Sequence, residues 1–120
     1  MIEIKFRGFS EQQNKWIYGG YHKPFEDIVQ IIEITKSNAS QMSLIKSGTE
    51  CQFTGLKDKN GVDIYEGDII EWEDGITDKI IFLLGAFGYE NECKEFVTLF
   101  DSNLNILKLI GNIHENPELL

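Results

Sequence analysis

The chain has 120 residues, 42% of them hydrophobic and 26% charged, with a net charge of −9 at neutral pH. This is the mix of one folded domain, and the longest apolar run, Ile80–Leu84, is far too short to cross a membrane as a helix. The charge disfavours recognition of phosphate backbones and favours a basic partner.

The first elements alternate. Ile2, Ile4, Phe6 and Gly8 fall on one face of a strand, and Glu3, Lys5, Arg7 and Phe9 on the other. Trp16–Tyr21 is an aromatic strand that pairs with it as a hairpin, and residues 23–27 break the pattern. Residues 28–34 admit a helix by the spacing of 28, 31 and 32, but five β-branched residues in seven favour a strand. After a polar loop at 35–40, Gln41–Ile45 is a short strand and Lys46–Thr49 a turn. Asp58-Lys59-Asn60-Gly61 is a tight turn whose Gly supplies a positive φ. Val62–Ile64 is extended, Tyr65–Asp68 is a second turn, and Ile69–Glu73 is a strand closed by Asp74-Gly75.

Beyond a short link at Ile76–Asp78, residues 79–84 predict a strand buried on both faces. Gly85–Tyr89 reads as a Gly-rich turn, without the Lys and Ser/Thr of a phosphate loop. Residues 90–95 are acidic and exposed, 96–100 a strand and 101–103 a turn. Residues 104–110 form the last long strand, ended by Gly111-Asn112, and Pro117 opens a short helical turn in the tail.

Three segments carry a resemblance. Thr54–Gly61 with Ile64–Ile70 looks like the central motif of the YopX family. Ile4–Phe9 is similar to the family's opening, where a Trp is common at the last position. Ile110–Leu120 is similar to its ending, where a Tyr often stands at the position of His114. The resemblance spans the chain and implies a small protein of phages or prophages, mainly of Gram-positive bacteria, with a mostly β arrangement. It brings no catalytic residue; Gly55, Gly61, Gly67 and Asp68 carry over as motif positions.

The chemistry-bearing residues are weighed against plainer roles. Cys51 and Cys93 sit in no CxxC motif, and with His22 and His114 they lack the paired spacing of a zinc site. Residues 58–63 hint at a calcium loop, but Gly61 stands at position 4, where an EF-hand places its Gly at 6. The acids Asp63, Glu66, Asp68, Glu71, Glu73, Asp74 and Asp78 read first as a solvated face with turn carboxylates. Phe6, Phe9, Trp16, Tyr18, Tyr21, Phe53, Tyr65 and Trp72 read first as core, and second as a base-stacking platform served by Lys5 and Arg7.

The expected fold is mainly β, a β-rich α+β arrangement being the alternative. A single domain over 1–120 is expected to hold a small N-terminal sheet at 1–48 and an SH3-like or barrel-like lobe at 49–120. The expected function is a non-enzymatic interaction module that self-associates and binds a host or phage protein of basic character. A nucleic-acid-binding accessory protein and an enzyme of unknown type are the alternatives. The candidate interaction positions are Gly55, Asp58, Asn60, Gly61, Tyr65, Gly67, Asp68, Glu71, Trp72, Glu73 and Asp74. No catalytic residue, metal or cofactor is assigned, no membrane contact is expected, and a start without a basic or apolar leader points to the cytoplasm of a bacterial host.

Overall fold

The computed structural model describes residues 5–26, 28–34, 40–99 and 104–120. Strand makes up 60% and helix 7% of it, so the class is mainly β, with several antiparallel sheets. The chain divides into two compact units, Met1–Phe53 and Thr54–Leu120.

In the first unit, β1 (Phe6–Ser10), β2 (Lys15–Phe25), β3 (Ile28–Ile34), β4 (Ser40–Ile45) and the start of β5 (Cys51–Lys57) line up in the order β4-β3-β2-β1-β5. Ile17, Val29, Ile31 and Ile45 form its core, with Phe6 against it. The β-branched content of 28–34 resolves as strand: Val29 and Ile31 turn inward while β4 pairs with β3 from Val29 to Ile34. Gly8 lies where a Cβ would stand 2.3 Å from Cγ2 of Ile45, so only glycine lets Ile45 cross β1. Two expectations are corrected. Arg7, assigned to the polar face, is 5% exposed, its guanidinium 5.0 Å from the Trp16 ring centroid. Residues 23–27 do not end the pattern, because β2 continues to Phe25. The register shift between His22 and Phe25 takes Pro24 out of the ladder, where its missing N–H costs nothing. Residues 2–4, 27, 35–39 and 100–103, which carry part of the predicted first strand and two predicted loops, lie outside the described residues.

The second unit holds β6 (Asp63–Tyr65) beside the end of β5. It also holds a sheet of β12-β7-β8 and a sheet of β11-β10-β9. These strands are β7 (Asp68–Trp72), β8 (Thr77–Lys79), β9 (Ile81–Leu83), β10 (Ala86–Glu90), β11 (Phe96–Thr98) and β12 (Leu107–Asn112). Ile64, Ile70, Ile80, Leu99 and Leu107 are its buried centre. Each such side chain contributes about 1.5–3 kcal/mol by leaving water.

Here the apolar run 79–84 is not one doubly buried strand. Ile80 alone is buried, its N–H donating to the Asp68 carbonyl and its carbonyl accepting from Gly67 N–H. That pairing with a turn ends β8 and starts a new strand, leaving Phe82, Leu83 and Leu84 exposed. Gly85–Tyr89 is likewise mostly strand, because the turn is only Leu84-Gly85, both at positive φ (51° and 86°). The link at 76–78 belongs largely to β8. Leu104–Ile106 is a 3-10 turn, and β12 continues through Gly111-Asn112 by a register shift between Leu109 and Gly111. Pro117–Leu119 does form the short helical turn.

Candidate functional site

The central motif is built as a knot of main chain. Asp58 accepts Gly61 N–H on its carbonyl (3.0 Å) and donates its own N–H to the Val62 carbonyl (2.9 Å). Gly61, at φ 80°, closes this loop. One oxygen of the buried Asp58 carboxylate accepts from the N–H groups of Asn60 and Val62, and the other from Leu109 N–H in β12, all at 2.9 Å. Lys59 N–H reaches the Leu107 carbonyl at 3.1 Å. Burial alone would raise the Asp58 carboxyl. The three N–H donors and the Lys59 charge more than offset this and hold it below its ordinary 3.8.

The next turn repeats the device. Asp68, fully buried, accepts Tyr65 N–H at 2.7 Å, Gly67 sits at φ 84°, and Ile113 N–H donates to the Gly67 carbonyl at 2.8 Å. Asn112 then caps the C-terminal segment, its Oδ1 accepting from His114 and Glu115 N–H. The candidate positions Asp58, Asn60, Gly61, Tyr65, Gly67 and Asp68 thus stand where the chain turns or where turns are tied to strands. Gly55 adopts φ 87° within β5, and the neighbouring Thr54 hydroxyl donates to the Ile64 carbonyl at 2.7 Å.

The remaining candidates reach the surface. Glu71 faces Lys108 across β7 and β12 at 3.7 Å, and Glu73 and Asp74 are exposed in the β7–β8 turn. Trp72 is half-buried and lines a cavity of about 380 Å³ together with Ile76, Asp78, Tyr89, Asn91, Glu92 and Cys93. The Trp72 and Tyr89 rings lie 5.1 Å apart at 57°. The Trp72 indole N–H donates to Oδ2 of Asp78 at 2.7 Å. Burial pushes the Asp78 carboxyl up, the indole bond partly offsets this, and the nearby charges of Glu92 and Asp74 push it further up.

The rim opposite Trp72 is the loop Asn91–Glu95 between β10 and β11. Asn91 Oδ1 accepts from Cys93 and Glu95 N–H (both 2.9 Å), and Asn91 N–H donates to the Glu95 carbonyl. Tyr89, Asn91, Glu92 and Cys93 were not among the candidate interaction positions read from the sequence. The available signal was an Asn opening a five-residue turn between two strands, the counterpart of Asp58.

Other sequence features disperse. Asp63 pairs with Lys57 at 2.7 Å and Asp68 is buried, so the run of acids is not one solvated face. Lys5 lies 4.6 Å over the Phe53 ring, and Phe6–Tyr21 and Phe9–Trp16 pack against each other; of the proposed stacking set Phe53 and Tyr65 are buried, Tyr18 and Tyr21 are exposed, and the others are half-buried. Cys51 is buried, its thiol donating to the Thr49 carbonyl, while Cys93 is exposed and His22 meets Gln30 at 2.9 Å. Among the described residues no three His, Cys, Asp or Glu side chains gather as metal ligands, and no helix is long and apolar enough to cross a membrane.

The comparisons agree with the motif reading. A family model described as YopX protein matches residues 5–120. The chain is similar to the crystal structure of protein EF1440 from Enterococcus faecalis, with 26% identity and a TM-score of 0.62 over 100% of this chain and 99% of that one. No match was found among curated proteins.

Proposed function

The chain belongs to the YopX family, and from that premise we propose that it is a non-enzymatic interaction module of phage or prophage origin. It acts in the bacterial cytoplasm by binding a basic partner protein. The observation that carries this reading is the placement of charge. The unit Met1–Phe53 has six cations and six acids, whereas Thr54–Leu120 has five cations against fourteen acids and holds the whole charge of −9. Glu73, Asp74 and Glu92 are exposed there without an ion pair among the described residues, around the partly exposed Trp72 and Tyr89. Aromatic side chains rimmed by unneutralised acids are the composition of a surface that receives cationic groups.

Self-association has separate support. β4 stands at the end of its sheet, and Met42 and Leu44 on it are each about half exposed. An edge strand unpaired on its outer side among the described residues, with apolar side chains, is a template for a second copy. The Leu84 tip of the β9–β10 hairpin, 96% exposed at φ 51°, is a second apolar contact point.

Reversing Glu71, Glu73 and Asp74 to Lys tests the reading. Capture of a basic partner from host lysate is expected to be lost while circular dichroism stays unchanged. Capture that survives the reversal, with the fold intact, would sink the acidic-face account.

A further inference from the structure

The cavity at Trp72 has a more specific chemistry than a generally acidic surface. Two aromatic rings, 5.1 Å apart, form one wall. Asp78 has one oxygen fixed by the indole at 2.7 Å, and its other oxygen makes no hydrogen bond among the described residues. Glu92 stands on the rim, Asn91 adds an amide, and no Lys, Arg or His lines the space. Burial first, and then repulsion from the Glu92 and Asp74 carboxylates, holds the Asp78 proton more tightly than usual. A bound cation relieves that repulsion.

The volume of about 380 Å³ lies at the small end of ligand pockets, the scale of a single side chain rather than a folded segment. We infer that this cavity receives the guanidinium of an arginine side chain presented by a partner protein. The inference rests on the interaction reading above and names the group recognised. Guanidinium suits the site better than ammonium for three reasons. It is planar and stacks on an indole or phenol face. It is weakly hydrated, so entering a half-buried site costs it less. Its fork of N–H donors serves two carboxylates at once.

The indole N–H of Trp72 supplies the reading. The chain has two tryptophans, so its amide spectrum carries two indole signals, assigned with Trp72→Phe. The full chain is titrated with a capped Gly-Arg-Gly peptide, the same peptide with citrulline, the same with lysine, and free agmatine. The arginine peptide is expected to shift the Trp72 signal saturably, and citrulline at least tenfold more weakly, because it keeps the shape without the charge. Lysine is expected to fall between them. Asp78→Asn, which keeps an acceptor for the indole, and Glu92→Gln are each expected to weaken the arginine peptide severalfold without lowering the melting temperature. No saturable shift, an equal response to citrulline, or tighter binding of lysine would overturn the guanidinium assignment. Tighter binding of agmatine than of the peptide would overturn the protein source. Partner capture lost on reversing Glu71, Glu73 and Asp74 but unaffected by Asp78→Asn and Glu92→Gln would overturn this inference alone, leaving the interaction reading in place.

Discussion

Two loops of the second unit share one main-chain design and differ in what surrounds them. Asp58–Val62 and Asn91–Glu95 each begin with a residue whose side-chain oxygen takes the N–H groups two and four positions on. In each, the first N–H donates to the fifth carbonyl, and the fourth residue has a positive φ. In the first loop Asp58 itself is buried, while the four residues after it are exposed. The Asp58 carboxylate has a second oxygen, and that oxygen holds Leu109 of β12. The second loop uses an amide, stays exposed, and leaves Glu92 and Cys93 at a cavity rim. Local turn chemistry therefore sets the shape of a loop, while one additional long-range bond decides whether it supports the fold or stays available for contact.

The largest break in this comparison comes from Asp58→Ala. It strips partners from three N–H groups at once, in a partly buried setting, and should cost on the order of 3 kcal/mol. Asn91→Ala, which frees two exposed N–H groups, should cost about 1 kcal/mol or less. Urea unfolding midpoints of the two variants measure the difference. Equal losses would mean that the bond to Leu109 is not what separates the loops.

Acid sharpens the same point. The Asp58 carboxyl is held below 3.8, its ordinary value, so its contribution is fully present above that value and is lost as the pH falls through the lowered one. Asp78 has the opposite sign: its carboxyl is raised, so stability falls as the pH rises from 3.8 through the raised value. Asp58→Asn should therefore flatten the stability curve below pH 3.8, and Asp78→Asn should remove a decline above it. Melting temperatures across that range report both slopes, and an unchanged acid limb in Asp58→Asn would contradict the assignment.

The smallest effect is at the fourth position. Gly61 occupies it at φ 80° and Lys94 at φ 66°. An L residue with a side chain is strained there, so Lys94→Gly should stabilise by about 0.5–1 kcal/mol. The exposed Lys94–Glu90 pair it removes, at 3.8 Å, adds next to nothing. A destabilised variant would show that the lysine side chain supports the loop.

What the sequence made legible follows from this division. The turn at 58–61 was readable because Asp, Asn and Gly announce their geometry locally, and the mainly β class was readable from the spacing of such turns. The break at Ile80 was not, because it depends on main-chain bonds to Gly67 and Asp68, which an apolar run does not encode. Arg7 was misplaced because alternation assigns a charge outward, whereas a central strand between β2 and β5 is covered and offers the Trp16 face instead. The cavity was half legible. Trp72 stood out as an aromatic among acids, but Tyr89 and Asn91 come from another sheet, and only the fold brings them to it.

The central claim is that the Asp58 loop is part of the cooperative fold and the Asn91 loop is not. Native-state amide hydrogen exchange measures this without altering a residue. Val62 and Leu109 N–H, both held by Asp58, should exchange only through global unfolding, whereas Cys93 and Glu95 N–H, held by Asn91, should exchange through local opening and many times faster. Equal protection at the four amides would contradict the account.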